Sequence, residues 1–270
     1  MITASIVTYH TDSDEVIQLI SSLINNGIDN IYIIDNSSND LLRNYTTSLT
    51  KVTYIHSKNI GYGRAHNIAI KESIKLGSTY HIVINPDIQI PKNDTIHKIK
   101  GFMDQTPACG LTMPLILYPN NEIQYLCKLL PTPKDLFIRR FLPFFSNENN
   151  QYELRNTEYN KIMEVPALSG CFMFIRTKIL KQIGGFDERF FMYAEDLDLC
   201  RRIGNVSKTI FYPHVFVYHS YEKGSYKNFK LLIYHIISII KYFNKWGWIF
   251  DKERRNINQL CLKKANNNQL

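Results

Sequence analysis

The sequence predicts an α/β fold built on a doubly wound, mostly parallel sheet. Short apolar runs rich in β-branched residues alternate with segments whose apolar residues recur at helical spacing. Polar residues follow directly after these predicted strands, which is where open α/β sheets bind their ligands. Of the 270 residues, 44% are hydrophobic, which is enough for the core of one sizeable domain.

The first third of the chain contains these elements in order. Residues 2–8, 31–35, 52–55 and 81–84 are short apolar runs that predict strands. A helix is predicted over Val16 to Ile24, after the capping candidate Asp12, and another over about 63–76. Strands that alternate with helices in this way favour a parallel sheet with helices on both faces.

Polar groups end three of the predicted strands. Thr8 to His10 end the first, Asp35 and Asn36 the second, and Asn85-Pro86-Asp87 the fourth. Because the carboxyl ends of parallel strands meet at one edge of a sheet, we expect these groups to lie close together. Each group could also be only a turn, since Asp, Asn and Ser bond their own backbone in turns.

A glycine-bearing loop precedes the second predicted helix. It runs from Asn59 to Asn67 with the sequence Asn-Ile-Gly-Tyr-Gly-Arg-Ala-His-Asn. A Gly-x-Gly pair without the full dinucleotide fingerprint is weak evidence on its own. Glycines nevertheless let the backbone approach a phosphate, a helix start favours anions, and Arg64 supplies a fork of donors. The residues alone are therefore compatible with a phosphate-binding loop but do not establish one.

The middle of the chain has fewer signals. Cys109 to Leu117 predicts a strand, and Pro119-Asn120-Asn121 predicts a hairpin turn into a strand over Ile123 to Leu126. Leu130 to Lys161 is irregular, and we expect this region to be mobile. This region carries an aromatic patch of Phe137, Phe141, Phe144 and Phe145. Ser169 to Arg176 predicts a buried strand entered through a small-residue turn.

The most informative stretch runs from Gly184 to Arg202. Two glycines and an aromatic cluster lead to three carboxylates, Glu195, Asp196 and Asp198, at the start of a predicted helix. In one interpretation, these acidic residues have a purely structural role: they cap the helix and interact favourably with its dipole. Carboxylates crowded beside aromatic rings are also partly desolvated and repel each other, which can raise a pKa into the working range of a general base.

The segment from Phe186 to Arg202 closely resembles the acceptor-side motif of family 2 inverting glycosyltransferases, nearest to the bacterial rhamnosyltransferase-like branch. The resemblance extends from about Ile2 to about His219 and implies a GT-A type fold. In that family the Asp of the Glu-Asp pair is the catalytic base, which corresponds to Asp196. The residues that the resemblance assigns to the acceptor are Ser169, Gly170, Tyr193, Glu195 and Asp198.

The same resemblance implies a nucleotide-sugar site at the strand ends. Asp35 resembles the acid that hydrogen-bonds the pyrimidine base, and Thr8 to His10 resembles the first nucleotide-contacting loop. The residues assigned to the nucleotide sugar are Thr8, Tyr9, His10, Asp35, Asn36, Asn59, Gly61, Gly63, Arg64, Asn67, Asn85 and Asp87.

A metal site is implied at the end of the fourth strand. The family usually carries Asp-x-Asp there, and its last acid binds a divalent metal that bridges the donor diphosphate; Asp87 keeps this role by resemblance. Asn85 replaces the first acid, and its contact could be to ribose or to metal. The second ligand is expected to be His219, although His10 and His214 are alternatives. Oxygen ligands and a diphosphate suit Mg²⁺ or Mn²⁺.

Charge is concentrated at the C-terminus. The net charge is +8. Residues 222–270 carry ten Lys or Arg against three Asp or Glu, a net of +7, which leaves +1 for residues 1–221. We expect a catalytic domain over 1–221, with a nucleotide-sugar half at about 1–105 and an acceptor half at 106–221. Residues 222–270 would be a basic amphipathic helical segment.

This C-terminal segment has two interpretations. Leu231 to Phe243 is mostly apolar but shorter than the roughly 20 residues of a membrane span, and Trp246 and Trp248 follow it. A basic, aromatic-edged helix on an anionic membrane surface fits this pattern. In the alternative, the helix packs on the domain with its basic residues outward. The nearly balanced charge of residues 1–221 argues against a nucleic-acid partner.

The cysteine pattern and the N-terminus indicate the cytoplasm. The five cysteines are scattered without a Cys-x-x-Cys pair, which predicts reduced, mostly buried thiols. No basic segment followed by a long apolar run opens the sequence, so we expect no signal peptide. The predicted location is the inner face of the cytoplasmic membrane, with peripheral attachment.

The resemblance implies a metal-dependent hexosyltransferase. Its expected substrates are a nucleoside diphosphate sugar, with dTDP-L-rhamnose as the best guess, and a lipid-linked oligosaccharide of bacterial surface polysaccharide synthesis (O-antigen or capsule). A UDP-hexose is the alternative donor. A non-catalytic nucleotide-sugar-binding homologue is the alternative function, because Asn85 departs from the metal motif.

Overall fold

A nine-stranded mixed sheet lies at the centre of the protein. The structure is a computed structural model and describes residues 1–46, 49–136, 150–220 and 228–266. Its strands are β1 (Ile2–Thr8), β2 (Asn30–Asp35), β3 (Val52–His56), β4 (Tyr80–Ile84), β5 (Ile88–Gln89), β6 (Cys109–Leu117), β7 (Cys127–Lys128), β8 (Met163–Glu164), β9 (Ala167–Leu168), β10 (Phe172–Arg176) and β11 (Lys208–His219). Its α-helices are α1 (Ser13–Asn25), α2 (Arg43–Thr46), α3 (Tyr62–Lys75), α4 (Thr95–Gln105), α5 (Thr177–Ile183), α6 (Glu195–Gly204), α7 (Phe229–Trp246) and α8 (Lys252–Asn266).

The predicted parallel half of the sheet is confirmed. The strand order across the sheet is β3-β2-β1-β4-β10-β6-β11-β5, and the first four strands are parallel to one another. The register pairs Thr8 at the end of β1 with Asp35 at the end of β2. Two of the predicted polar strand ends are therefore direct neighbours.

The second half makes the sheet mixed. Strand β10 is antiparallel to both β4 and β6, whereas β11 is parallel to β6. Because β10 pairs with β4, the small-residue turn before Phe172 comes beside the end of β4, and the Asn85 N–H donates to the Cys171 carbonyl. The mixed pairing thus brings residues 169–171 next to the predicted nucleotide-sugar site.

The first helix forms as its pattern predicts. Asp12 is the N-cap of α1, and its side chain accepts hydrogen bonds from the N–H groups of Asp14 and Glu15. The apolar face of α1 buries Val16, Leu19, Ile20 and Leu23 in the main core. The five cysteines are free and buried, which confirms the prediction of thiols.

One predicted strand is wrong. The turn after β6 forms, with Asn121 in the left-handed region at a φ of 68°, but Ile123 to Leu126 contributes only a single bridge to Leu117. The chain leaves the sheet there because Gln124 turns inward and bonds the β11 backbone at His219. The predicted aromatic patch at residues 137–145 lies outside the described residues.

The C-terminal helices pack on the domain. Helix α7 buries Ser238, Tyr242 and Phe243, and Phe190 joins the same apolar cluster. No helix in the described part of the chain has the length and apolar character needed to cross a bilayer. Residues 221–227, which connect β11 to this region, lie outside the described residues. Helix α7 thus packs against residues 190 and 194 of the predicted catalytic domain, and the boundary at residue 222 stays a prediction.

Candidate active site

Asp35 is the most heavily bonded of the polar strand ends. Its carboxylate accepts hydrogen bonds from Thr8 Oγ1 at 3.0 Å, Ser37 Oγ at 2.5 Å and the Tyr54 hydroxyl at 2.7 Å. Burial alone would raise the pKa of Asp35, but these hydrogen bonds outweigh it and the pKa is lowered. Asp35 is therefore an ionised, internally bonded carboxylate that holds the ends of β1, β2 and β3 together.

The loop after β1 presents an exposed aromatic ring. Tyr9 is 56% exposed and its ring lies 4.6 Å from that of His10. The loop is fixed from beneath, because the His10 N–H donates to Ser37 Oγ at 2.8 Å and the Asn36 N–H donates to the Thr8 carbonyl at 2.9 Å. An exposed ring on a fixed loop at the strand ends suits a planar base.

The first glycine of the glycine loop is required by a close backbone approach. Gly61 has a φ of 90°, and a Cβ there would lie 2.2 Å from the Phe191 carbonyl oxygen. The next N–H, that of Tyr62, donates to the same oxygen at 2.8 Å, and the Asn59 side chain accepts from the Gly61 N–H. The loop therefore fastens the start of α3 to the acidic motif.

The rest of this loop contacts protein rather than an open cleft. Asn67 exchanges two hydrogen bonds with the backbone of Phe186, and Arg64 pairs with Glu188 at 3.2 Å. A Cβ on Gly63 would lie 2.9 Å from Phe186 Cβ. The structure does not bring these three residues to the cleft described below. The glycine pattern thus satisfies close packing between α3 and residues 186–191.

Tyr62 is a site residue that the sequence did not reveal. Its hydroxyl lies 2.9 Å from Asn85 Oδ1 and 2.8 Å from the Gly170 carbonyl oxygen. Burial raises the pKa of Tyr62 well above its usual value, so the hydroxyl remains a donor at neutral pH. Tyr62 links the strand end that carries Asn85 to the turn that leads into β10.

Asp87 and His219 lie together, as predicted. His219 Nε2 is 3.3 Å from Asp87 Oδ2. On its other side, His219 Nδ1 lies 2.9 Å from Gln124 Oε1, which only accepts, so Nδ1 donates this hydrogen bond. Gln124 was missed from the sequence; it fixes the histidine, since its own amide also donates to the His219 carbonyl.

These residues fit a divalent cation. Asp87 Oδ1 is buried and makes no hydrogen bond within the described part of the chain. An ionised oxygen in this state is costly unless a cation or donor satisfies it. The described residues contain no cluster of three His, Cys, Asp or Glu side chains suited to a metal.

The backbone before the acidic helix is strained. Tyr193 and Ala194 have φ angles of 71° and 61°, a left-handed conformation that non-glycine residues rarely adopt. This turn directs Asp196 toward the β10 entry, where Asp196 Oδ2 accepts from the Gly170 N–H at 3.1 Å. The other oxygen accepts from the Leu197 N–H at 2.8 Å. Asp196 is thereby held by two backbone donors.

Glu195 differs from its neighbour in environment. It is 6% exposed, and its Oε2 is buried without a hydrogen-bond partner in the described part of the chain. Burial, with a contribution from the charge of Asp196, raises the pKa of Glu195 to about 8. Burial thus favours the protonated form of Glu195 in the neutral pH range.

Asp198 serves a different purpose from the predicted acceptor contact. It is fully buried and does not line the cleft; its carboxylate bonds Arg202 Nε at 2.7 Å, Lys245 Nζ at 2.5 Å and Trp246 Nε1 at 2.8 Å. Lys245 also pairs with Asp187 at 2.7 Å. Asp198 thus joins the acidic helix α6 to the C-terminal helix α7.

Lys245→Met should lower the free energy of unfolding by about 3 kcal/mol, because it leaves the buried Asp198 carboxylate short of a cation. Urea denaturation followed by circular dichroism measures the change. Lys252→Met, at an exposed lysine of α8, is the control and should stay within about 0.5 kcal/mol of the unaltered protein. Equal stability of the two variants would show that the ion pair does not hold α7 in place.

The predicted catalytic residue and four of the five predicted acceptor residues line one cleft of about 370 Å³. The predicted residues that line it are Asn85, Ser169, Gly170, Tyr193, Glu195, Asp196 and His219. Residues that the sequence did not indicate also line it, namely Tyr62, Gln124, Lys128, Tyr152, His235 and Ile239. Asp87 lines an adjoining cavity of about 290 Å³ between α1 and β5.

Comparison with known proteins identifies the family of this chain. The family model described as glycosyl transferase family 2 matches residues 4–184, which is more than half of the chain. The chain belongs to glycosyl transferase family 2. The match includes the strand ends and the β10 entry, whereas the acidic helix and the C-terminal helices follow it.

Curated relatives in this family are sugar transferases. The chain is 25% identical over 247 residues to the rhamnosyltransferase WbbL of Escherichia coli, covering 88% of this chain and 90% of that protein. It is 31% identical over 211 residues to the low-salt glycan biosynthesis hexosyltransferase Agl10 of Haloferax volcanii, covering 73% of this chain and 60% of that protein. An N-acetylglucosaminyl-diphospho-decaprenol L-rhamnosyltransferase of Mycobacterium tuberculosis is 29% identical, covering 60% of this chain and 56% of that protein.

Solved structures confirm the GT-A fold. The mannosyltransferase PcManGT of Pyrobaculum calidifontis, in complex with GDP-Man and Mn²⁺, aligns with a TM-score of 0.59 at 14% identity, covering 98% of this chain and 75% of that one. S. aureus TarS 1-349 in complex with UDP aligns with a TM-score of 0.58 at 14% identity, covering 98% of this chain and 72% of that one. The predicted fold class is therefore confirmed.

Proposed function

We propose that this family 2 transferase moves a sugar from a nucleoside diphosphate to an acceptor hydroxyl with inversion, and that Asp196 is its general base. The observation that carries the proposal is the position of Asp196 in the cleft beside Glu195, a buried carboxyl group whose pKa is raised. Asp196 is held there by the backbone donors of Gly170 and Leu197. Two neighbouring carboxyl groups whose environments separate their protonation states are typical of acid–base sites.

In this mechanism, Asp196 takes the proton from the acceptor hydroxyl while the oxygen of that hydroxyl forms a bond to the anomeric carbon. The bond from that carbon to the diphosphate oxygen breaks on the opposite side, and the electron pair leaves with the diphosphate. Tyr62 and Gly170 would keep the base and the Asn85 strand end in fixed relation. Orientation of this kind supplies a large part of enzymatic rate enhancement.

Asp87 and His219 would hold Mg²⁺ or Mn²⁺, which suits oxygen-rich sites that include a diphosphate. When bound, the cation neutralises charge on the leaving diphosphate. The Mn²⁺ in the complex of PcManGT is consistent with this assignment. Gln124 would orient His219 from behind.

The relatives guide the choice of substrates. Two of them are named rhamnosyltransferases, which supports dTDP-L-rhamnose as the donor, and UDP-hexose is the alternative. The acceptor of the mycobacterial relative is a lipid diphosphate that carries N-acetylglucosamine. We infer a lipid-linked saccharide acceptor for this chain too, used in surface polysaccharide (O-antigen or capsule) synthesis at the inner face of the cytoplasmic membrane.

The test is transfer from a panel of donors, dTDP-L-rhamnose, UDP-glucose, UDP-N-acetylglucosamine and GDP-mannose, to an N-acetylglucosaminyl diphospholipid with Mn²⁺ present. We expect one donor to give product, with the anomeric configuration inverted when the linkage is analysed by nuclear magnetic resonance. A retained configuration would contradict the base mechanism. A donor that stabilises the protein in a thermal shift without any transfer would favour the non-catalytic sugar-binding alternative.

A further inference from the structure

Helix α7 exposes a continuous apolar stripe. Its members recur three and four residues apart, which places them on one face of the helix. The stripe consists of Phe229, Ile233, Ile236, Ile237 and Ile240, each between 41% and 76% exposed. Directly after the helix, Trp248, Ile249 and Phe250 are 43%, 66% and 91% exposed. More than half of the large apolar side chains exposed by the described residues therefore lie within 229–250.

The charge of this region favours an anionic bilayer as the partner of the stripe. Helix α7 contains no acidic residue and has two exposed lysines, Lys230 and Lys241, whereas Lys245 is paired with Asp187 and Asp198. Residues 222–270 carry a net +7 from ten basic and three acidic residues. A second copy would present the same positive charge to the stripe and be repelled, whereas anionic lipid head groups attract it. Apolar and basic residues on a helix that does not span are typical of an interfacial helix.

The opposite side of α7 belongs to the active site. His235 and Ile239 line the cleft that contains Asp196. The His235 ring lies 4.8 Å from the ring of Tyr193, and Ser238 Oγ donates to the Met192 carbonyl at 2.7 Å. The helix that carries the apolar stripe is thus bonded to the strained turn that positions the catalytic motif.

We propose that α7 lies in the head-group layer of an anionic membrane by its apolar stripe, and that its other side is the wall along which a lipid-linked acceptor enters the cleft. The lipid of the acceptor stays in the bilayer while its sugar reaches Asp196. The acceptor half of this proposal depends on the proposed function. The bilayer half depends only on the exposed residues and the charge.

Ile236→Gln/Ile240→Gln removes two members of the stripe without changing charge. These positions are exposed and do not line the cleft. The control is Leu76→Gln/Val206→Gln, whose residues are 49% and 42% exposed. They lie in the loops before β4 and β11, at the amino ends of these strands, whereas Asn85 and His219 lie at the carboxyl ends. Thermal unfolding should be unchanged in both variants, because the substitutions remove no buried contacts.

Binding is measured by co-sedimentation with vesicles of equal parts phosphatidylglycerol and phosphatidylethanolamine, and with phosphatidylcholine vesicles for comparison. The unaltered protein should sediment with the anionic vesicles and be released by salt. The stripe variant should bind them about tenfold more weakly or worse, and the control variant should bind normally. Equal binding by the stripe variant and the unaltered protein would overturn the proposal.

Transfer is then compared between long-chain acceptor in the same vesicles and a short-chain, water-soluble form of that acceptor. The stripe variant should lose transfer to the former and retain transfer to the latter within about twofold. Vesicle binding without any transfer would contradict the proposed function but support membrane binding by α7. Transfer without vesicle binding would support the proposed function but contradict membrane binding by α7. A dimer of the unaltered protein that the stripe variant abolishes, without vesicle binding, would identify a second copy as the occupant.

Discussion

Asp196→Asn should lower the rate of sugar transfer by about 100- to 10,000-fold, the range that a general base contributes. Asparagine keeps the size of the side chain and an oxygen that accepts from the Gly170 N–H, but it cannot take the acceptor proton. Fold and donor affinity should therefore be preserved. Initial rates of transfer, circular dichroism and calorimetric titration with the nucleotide sugar measure the three quantities.

Two matched variants make this result specific. Glu195→Gln imitates the protonated carboxyl group and should retain most of the activity at neutral pH, because the pKa of Glu195 is raised to about 8. Asp40→Asn changes an exposed carboxylate and should have no effect. Near-normal turnover by Asp196→Asn together with loss in Glu195→Gln would transfer the role of base to Glu195.

The elements that could be predicted from the sequence are those whose signals are local. Strands β1 to β4 are short β-branched runs, and the Asp12 cap marks the start of α1. The proximity of Asp87 and His219 was also predicted, although they are distant in the chain, because the family resemblance assigns both to one metal. Local periodicity alone would not have paired them.

The remaining site residues depend on tertiary contacts that leave no local signal. The sequence around Tyr62 does not distinguish it from other aromatic residues in loops. Its importance comes from the hydrogen bonds of its hydroxyl to Asn85 and Gly170, which only the fold brings together. Gln124 lies in a segment that alternation assigned to a strand. In the glycine loop, a Cβ on Gly61 would meet the Phe191 carbonyl oxygen, a long-range contact that the local Gly-x-Gly pattern does not specify. Phosphate binding by this loop stays a prediction.

Helix α7 makes contacts across the domain boundary that composition predicts at residue 222. The charge asymmetry at residue 222 suggested an appendage, yet the buried contacts of α7 cross that boundary through Lys245, Trp246 and Ser238. Removing the segment would expose the buried Asp198 and remove His235 from the cleft wall. We therefore expect a protein that ends before α7 to lose activity toward short soluble acceptors as well as lipid-linked ones.

Asp87→Ala should lower transfer by about 100-fold or more, since a bound cation supplies several kcal/mol of charge stabilisation at the leaving group. Chelation of the unaltered protein should stop transfer, and Mg²⁺ or Mn²⁺ should restore it. Gln124→Leu should weaken metal affinity by about 10- to 100-fold, because it removes the group that orients His219. Asp14→Ala, at an exposed aspartate of α1, is the matched control and should behave normally.

A readout independent of turnover separates metal binding from other roles of Asp87. Electron paramagnetic resonance titration of Mn²⁺ in the presence of UDP or dTDP should show a bound ion in the unaltered protein and in Asp14→Ala, but not in Asp87→Ala. The buried Asp87 Oδ1 has no hydrogen-bond partner among the described residues, so removing the carboxylate without metal present should cost little stability. Normal turnover by Asp87→Ala in chelator would mean that Asp87 and His219 do not hold a catalytic metal and that charge on the leaving diphosphate is neutralised by other residues.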